Sequence, residues 1–295
     1  MHANLKSPLA IPAAADPLLA EKRSKGKKRW RTDIITKHLS LYEELQASSL
    51  SGCLLNTAVY IAVDDAIVHK LDCLCLGNLD GGSSTADYCN RLLQAAGVAN
   101  ANGPKAVRLS IDEAFFMHYA LNCLTVYNVA IDGKTAVKLG TDELWCTLRA
   151  ARPDFLLLYI AYHHFRSKGW IPRTGLQYGV DFVLYQRHPA LAHSIYSVLI
   201  MVDGSDCGGG GSTPETAIGE LTRPVLSWHD VQVTNRLTAQ VGKRLLLFYV
   251  QYSGNSKDKN VLNSVKCLRE FSVQERCVRR WIPASHRVKL DPGHK

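Results

Sequence analysis

The chain has 295 residues, of which 46% are apolar and 21% are charged, and its formal net charge is +9. This length suits one large domain or two ordinary ones, and this composition is typical of a soluble globular protein. No apolar run approaches the roughly 18 residues of a membrane helix, so the sequence predicts no membrane span.

The first 31 residues are rich in proline, alanine and basic residues, and this composition predicts disorder. Pro8, Pro12 and Pro17 interrupt the mildly apolar start, which therefore does not resemble a secretory signal. Residues 21–31 contain seven basic residues and one acid, a net charge of +6. This segment is a solvated tail, a nuclear import signal or a phosphate-binding arm, and its charge favours a polyanionic partner.

The cysteines do not form the pattern of a disulfide framework or of a zinc site. There are nine of them, scattered along the chain without a CxxC pair, and Cys73-x-Cys75 is too weak a pattern to indicate zinc. We therefore expect reduced cysteines and a reducing compartment, either the nucleus or the cytosol.

The first half of the chain contains patterns of both helices and strands. Residues 34–50 have a helical pattern, the stretch LLNTAVYIAV at 54–63 indicates strands, and residues 77–88 have the composition of a loop. Ser110, with Glu113 three residues later, predicts a capped helix start.

Two further helices are expected before the pattern changes. One begins near Thr141, and another follows Pro153 and ends at Gly169. His163 and His164 are adjacent, so they point in different directions around this helix. We interpret them as packing or surface residues, because they are poorly placed to share a metal ion.

After residue 169 the pattern becomes strand-like. YGVDFVLY and HSIYSVLIMV predict a hairpin, a helix begins at Ser227, and KRLLLFYVQY and EFSVQERCVRRWI predict two more strands. The glycines within residues 203–220 lack the Lys-Ser/Thr of a phosphate loop, so we expect a flexible surface loop. The fold class is therefore α/β (α+β). We divide it into a basic extension (1–50), a smaller α/β domain (51–150) and a second domain (151–295).

Several long motifs in the second half resemble the catalytic domain of the tRNA-intron endonucleases. They are F-R-S-K-G-W, G-L-Q-Y-G-V-D-F-x-L-Y and H-P-x-x-x-H-S-x-Y-x-V between residues 165 and 198, then L-S-W at 226–228, N-R-L-x-x-x-V-G-K-R-L-L-L from Asn235, and R-R-W-I at 279–282. The resemblance covers roughly residues 110–285 and is greatest to the eukaryotic subunit that cuts the 5′ splice site. It implies a C-terminal mixed-sheet nuclease domain.

The resemblance also implies the site residues. The catalytic tyrosine, histidine and lysine of the family correspond to Tyr185, His193 and Lys243, and the two residues that hold an unpaired RNA base correspond to Arg236 and Trp281. His188 lies closer to Tyr185 in sequence and is the alternative candidate for the acid. Because it adjoins Pro189 in a turn, we rank it second.

The implied reaction is cleavage of RNA by its own 2′-hydroxyl, which yields a 2′,3′-cyclic phosphate and a 5′-hydroxyl. It needs a base, an acid and positive charge beside the phosphorane. Histidine suits the acid, because its reference pKa is about 6.5. Tyrosine, with a reference pKa near 10, acts as a base when a neighbouring cation stabilises the phenolate. The resemblance implies no metal ion and no cofactor.

The implied partners are precursor tRNA, a second catalytic subunit and two structural subunits, and we expect the isolated chain to cut poorly. The terminal strand at residues 270–282 is a candidate for pairing across a sheet edge. Two alternatives remain open at this point: a non-catalytic RNA-binding or scaffolding subunit, and an unrelated RNA-binding module that uses the basic tail.

Overall fold

The computed structural model describes residues 3–4, 40–80, 82–98, 103–130, 135–202, 226–253 and 259–278. Within these ranges the chain forms two six-stranded mixed sheets with helices around and between them, which confirms the predicted α/β class. The basic segment 21–31, the glycine-rich segment 203–220 and Trp281 lie outside the described residues.

The described strands, in chain order, are β1 (Ala3–Asn4), β2 (Leu50–Leu55), β3 (Ala58–Val63), β4 (Asn78–Asp80), β5 (Lys105–Ser110), β6 (Leu124–Val129), β7 (Ala136–Lys138), β8 (Ile171–Thr174), β9 (Phe182–Tyr185), β10 (Tyr196–Val202), β11 (Arg244–Tyr252) and β12 (Phe271–Cys277). The N-terminal sheet has the order β4-β5-β3-β2-β6-β7, and the C-terminal sheet has the order β1-β12-β11-β10-β9-β8. The β9–β10 pair is antiparallel, which confirms the predicted hairpin. β2 and β3, which also pair antiparallel, confirm the strands expected at residues 54–63.

The described helices are α1 (40–48), α2 (Asp65–Cys73), α3 (Ser83–Ala95), α4 (Ile111–Phe115), α5 (Thr141–Ala151), α6 (Phe155–Ser167) and α7 (Trp228–Gln240). A π-helical turn, Phe116–Ala120, continues α4. The predicted capping box is confirmed, because the Glu113 N–H donates to Ser110 Oγ at 3.2 Å and the Ser110 N–H donates to Glu113 Oε2 at 3.0 Å. None of the described helices has the length and apolar character needed to cross a bilayer.

Helix α3 corrects one prediction. The expected loop at residues 77–88 is wrong in part, because Asn78–Asp80 form a strand and Ser83 starts a helix. The small polar residues at its start are typical of a loop, but Ala86, Cys89 and Leu93 are buried at helical spacing. Packing of this face against the sheet therefore outweighs the local composition.

Helix α6 lies at the centre of the molecule. Every residue from Phe155 to Arg166 is buried, and the apolar ones belong to one core that includes strands of both sheets. His163 and His164 are among the buried residues, which confirms the packing interpretation. Gly169, with a φ of 79°, ends the helix in the left-handed conformation as predicted.

Polar contacts join α6 and β8 to the N-terminal half of the chain. Arg166 is buried, and its guanidinium donates to the carbonyls of Leu74 at 2.8 Å and Cys75 at 2.6 Å. Arg173 forms an ion pair with Glu113 at 3.2 Å. The two sheets are therefore held together by hydrogen bonds to backbone groups as well as by the shared apolar core.

Strand β12 is fixed to α6 by a buried charged cluster. Glu275 Oε1 accepts from His164 Nε2 at 2.5 Å and from Lys168 Nζ at 2.6 Å. Burial acts to raise the pKa of Glu275, but the hydrogen bond and charge of His164 and the Lys168 ammonium outweigh it and hold this pKa below its usual value. On its other side, β12 pairs with β1 through Val273 and Ser272, so Ala3–Asn4 cover part of the terminal strand.

Candidate active site

The candidate residues lie where three neighbouring strands begin or end. In the C-terminal sheet, Tyr196 pairs with Leu184 of the antiparallel strand β9 and with Arg244 of the parallel strand β11. The Ile195 N–H donates to the Leu184 carbonyl at 2.9 Å, and the Arg244 N–H donates to the Ile195 carbonyl at 3.0 Å. The end of β9 and the starts of β10 and β11 therefore share one edge of the sheet.

Tyr185, His193 and Lys243 lie at this edge. Tyr185 is the last residue of β9, Lys243 immediately precedes β11, and His193 comes three residues before β10 begins. Neighbouring strands are about 4.8 Å apart, so the backbones of Tyr185 and Lys243, two strands apart, are separated by about 10 Å. These three residues, distant in sequence, are brought to one place by the sheet topology.

Tyr185 and Lys243 also lie on the same face of the sheet. This face carries an apolar cluster beneath α7, which we call the α7 cluster: Val180, Val183, Leu199, Met201, Val231, Leu245 and Leu247. Tyr178 and Tyr185 pack against its border. The Lys243 ammonium lies 4.3 Å from the centroid of the Tyr178 ring, a cation–π contact beside the same cluster.

The backbone around Lys243 is fixed by the end of α7. The Lys243 N–H donates to the Thr238 carbonyl at 2.9 Å, and Gly242 has a φ of 69°, the left-handed conformation that favours glycine. The other end of α7 begins after Ser227, as the sequence predicted, and Ser227 caps it through a capping box with Asp230. The helix and its glycine therefore determine where the Lys243 side chain starts.

His193 lies in an exposed loop and is accessible to a large substrate. The next residue, Ser194, is buried, and Ile195 is hydrogen-bonded to β9, so the backbone after His193 is tied to the sheet. Within the described part of the chain, neither the His193 ring nor the Tyr185 hydroxyl makes a hydrogen bond. Both groups therefore have free hydrogen-bonding capacity for a substrate.

His188, the alternative acid, has other partners. Its Nδ1 accepts from the Ala190 N–H at 3.2 Å, so the neutral ring carries its proton on Nε2. This Nε2 lies 3.5 Å from Oδ1 of Asp72, which belongs to α2. Both ring nitrogens are engaged within the protein, and the contact ties the loop that carries His193 to the N-terminal half of the chain.

The two predicted RNA-binding residues have different outcomes. Arg236 lies on α7 and is exposed. Trp281 lies outside the described residues, so its proximity to Arg236 stays a prediction. No group of three or more His, Cys, Asp or Glu side chains suited to a metal ion occurs among the described residues.

Tyr178 is a site residue that the sequence interpretation missed, although it lies within the motif G-L-Q-Y-G-V-D-F. A Cβ on Gly175 would lie 2.4 Å from Val180 Cγ2, and Gly179 has a φ of 66°. The Asp181 carboxylate accepts from the Ile200 N–H at 2.7 Å and ties the segment to β10. Both glycines and the aspartate thus shape the turn that presents the Tyr178 ring to Lys243.

Comparisons with known proteins agree with this architecture. Residues 155–258 match the family described as tRNA intron endonuclease, catalytic C-terminal domain. This segment begins at α6 and includes Tyr185, His193, Arg236 and Lys243.

Several relatives match over longer stretches. The tRNA-splicing endonuclease subunit Sen2-2 of Arabidopsis thaliana is 34% identical over 257 residues, which is 87% of this chain and 84% of that protein. Subunit Sen2-1 of the same plant is 32% identical, over 82% of this chain and 85% of that protein. Subunit Sen2 of Gallus gallus is 38% identical, over 63% of this chain and 36% of that protein. On these similarities, the chain belongs to the tRNA intron endonuclease family.

Proposed function

We propose that this chain is a catalytic subunit of an endonuclease that removes introns from precursor tRNA and that it cuts at the 5′ splice site. The observation that carries the proposal is the meeting of three strand ends at one sheet edge, with Tyr185 and Lys243 beside the same α7 cluster. Two relatives that match more than four-fifths of this chain are named as tRNA-splicing endonuclease subunits, which supports the same substrate.

In the proposed mechanism, the nucleophile comes from the RNA. Tyr185 takes the proton of the 2′-hydroxyl, and the resulting 2′-oxygen attacks the adjacent phosphorus atom. The bond from phosphorus to the 5′-oxygen breaks, and His193 donates a proton to this leaving oxygen. The products are a 2′,3′-cyclic phosphate and a 5′-hydroxyl, so the two proton transfers balance and no water is consumed.

Lys243 supplies the positive charge that this reaction needs. Negative charge grows on the non-bridging oxygens of the phosphorane, and an ammonium held beside them stabilises it without reorganisation. The contact with the Tyr178 ring restricts where this ammonium lies. A single well-placed donor of this kind contributes on the order of 3 kcal/mol to transition-state stabilisation. This set of groups provides base, acid and charge, so the proposed mechanism uses no metal ion.

The test is single-turnover cleavage of end-labelled precursor tRNA by the assembled complex, with the partner catalytic subunit inactivated. We expect His193→Ala to abolish cutting at the 5′ site, whereas His188→Ala, the matched histidine in the same loop, retains most of the activity. A 2′-deoxy nucleotide before the scissile phosphate should block cleavage, because it lacks the attacking hydroxyl.

Several outcomes would contradict the proposal. Wild-type rates in the His193→Ala complex would remove the acid from the mechanism, and cleavage of the 2′-deoxy substrate would exclude attack by the 2′-hydroxyl. Loss of cleavage in EDTA, with RNA folding verified separately, would contradict the metal-free mechanism. If the intact chain produced no 2′,3′-cyclic phosphate at the 5′ site, a non-catalytic scaffolding role would replace the catalytic one.

We further propose that the complex contains a second catalytic subunit and two structural subunits, and that it acts in the nucleus. The subunit names of the relatives support an assembly of several chains. The net charge of +6 in residues 21–31 suits nuclear import. The mass of the purified complex tests the subunit composition. The cellular location of a chain that lacks residues 21–31 tests the role of this segment in nuclear import.

A further inference from the structure

One exposed side of α7 carries a row of side chains suited to nucleotides. Trp228, Gln232 and Arg236 are all exposed and are spaced four residues apart. At about 100° per residue they lie within an arc of about 80°, and at 1.5 Å per residue the row is about 12 Å long. We call these three residues the α7 strip.

Trp228 is the unusual member of the α7 strip. Its surface is 54% exposed although it is a large aromatic residue. The buried side of the helix faces the α7 cluster through Val231 and Thr238, so Trp228 is not needed to fill the core. An exposed tryptophan on the same side of a helix as an exposed arginine is typical of a binding surface rather than of packing.

The α7 strip differs from the other exposed flank of the same helix. That flank carries Val233 and Leu237, which are apolar and are 42% and 50% exposed. The one acidic residue of the helix, Asp230, lies on this far side in helical projection, and its carboxylate accepts from the Ser227 N–H at 2.9 Å. The α7 strip therefore presents an aromatic ring, an amide and a guanidinium without a carboxylate between them.

We propose that the α7 strip binds unpaired RNA nucleotides beside the cleavage site, with Trp228 stacking on a base that Arg236 does not contact. The proposal rests on the function proposed above and extends it to a further substrate-binding residue. Aromatic rings and arginine are the groups on which single-stranded bases stack, and an amide hydrogen-bonds base edges.

The position of the α7 strip favours RNA over a protein partner. α7 leads directly through Gly242 to Lys243, so the helix that carries the α7 strip ends next to a residue of the candidate active site. Trp228 lies about 20 Å from Lys243 along the helix axis, at 1.5 Å per residue. This separation places Trp228 beyond the reacting phosphate, where it affects binding of neighbouring nucleotides and leaves the chemical step unchanged.

The test measures RNA binding and cleavage separately in the assembled complex. Binding of labelled precursor tRNA is measured in the His193→Ala background with the partner catalytic subunit also inactivated, so that no cutting occurs. We expect Trp228→Ala to weaken binding by about 5- to 100-fold, which is the range for loss of one stacked base. Trp228→Phe keeps a ring and retains most of the affinity. Leu237→Ala, on the opposite flank of the same helix, is the matched control and binds as the parent does.

A second experiment, which varies the RNA, identifies the stacked nucleotide. Each unpaired nucleotide near the splice site is replaced in turn by an abasic one. At one nucleotide position, the abasic RNA should bind the parent complex weakly, and Trp228→Ala should not weaken its binding further. In the complex that retains His193, the single-turnover cleavage rate at saturating RNA should be the same for Trp228→Ala as for the parent.

Three results would overturn the inference. The first is unchanged RNA binding by Trp228→Ala, and the second is an equal loss of affinity from Trp228→Ala and from Leu237→Ala. The third is failure of the Trp228→Ala complex to assemble, which would instead make the α7 strip a subunit interface. These failures are distinct from failure of the proposed function. A wild-type complex that does not cut precursor tRNA refutes the function, whereas a complex that cuts normally without needing Trp228 refutes only this inference.

Discussion

The contact between Tyr178 and Lys243 permits a quantitative prediction about catalysis. The ammonium lies 4.3 Å from the ring centroid, and Lys243 is half-buried. Cation–π contacts contribute roughly 0.5–1 kcal/mol when exposed and about 2 kcal/mol when desolvated, so we take about 1 kcal/mol here. If the contact holds the ammonium where the phosphorane forms, its loss lowers the rate by about fivefold.

The perturbation is Tyr178→Leu, which removes the aromatic face and keeps an apolar side chain against the α7 cluster. We expect the single-turnover rate of 5′-site cleavage to fall by about fivefold at saturating precursor tRNA. Tyr178→Phe keeps the ring face and should retain a rate within about twofold of the parent. Thermal unfolding of both variants measures any loss of packing separately from the effect on catalysis.

A double-mutant cycle decides whether the effect passes through Lys243. In the Lys243→Ala background, Tyr178→Leu should cost little further, because the ammonium that the ring positions is already absent. An undiminished fivefold loss in that background would refute the reasoning, and so would a Tyr178→Phe variant as slow as Tyr178→Leu.

Three further predictions concern stability. Glu275→Ala should lower the free energy of unfolding by about 3 kcal/mol at pH 7, since it removes one partner of a buried charged cluster. Because the pKa of Glu275 is held below its usual 4.5, the difference in denaturant unfolding between variant and parent should shrink as pH falls below that value. Burial raises the pKa of Asp112 to about 7, and one of its oxygens has no hydrogen-bond partner among the described residues. The parent should therefore lose stability as pH rises from about 4 through 7, whereas Asp112→Asn should not, and equal pH profiles would contradict this. Gly175→Ala should lower both the unfolding temperature and the cleavage rate, because its Cβ would lie 2.8 Å from the Val180 carbonyl oxygen. Gly169→Ala, a left-handed glycine with open space around it, should cost only about 1 kcal/mol and leave the cleavage rate unchanged.

The sequence predicted the elements whose signals are local. Ser110 was identified as a helix cap because a capping box needs only four residues, and Gly169 was identified because a left-handed helix end favours glycine. Ser227 was identified as the start of a helix. Strands β9 and β11 were identified from their β-rich apolar runs. The candidate residues Tyr185, His193 and Lys243 came from family motifs, and their catalytic roles stay predictions, as do the domain limits.

Other features depend on contacts between distant parts of the chain, which leave no periodic signal. The pairing of Lys243 with the Tyr178 ring joins residues far apart in sequence. Arg166 near the end of α6 has the appearance of a solvated residue, yet the carbonyls of residues 74 and 75 surround it. The start of α3 was interpreted as a loop, because only burial against the sheet distinguishes its small polar residues from a turn.

The burial of Arg166 limits how the catalytic segment can be used by itself. A fragment beginning at residue 155 would keep the whole family match and all three candidate catalytic residues. It would also remove Leu74 and Cys75, whose carbonyls accept from the Arg166 guanidinium. Of these three hydrogen bonds of Arg166, the one to the Tyr162 hydroxyl would remain. Such a fragment would expose a former interior surface to water. The preceding residues are therefore part of the folding unit, and transplanting the nuclease segment onto another protein would require a substitute for them.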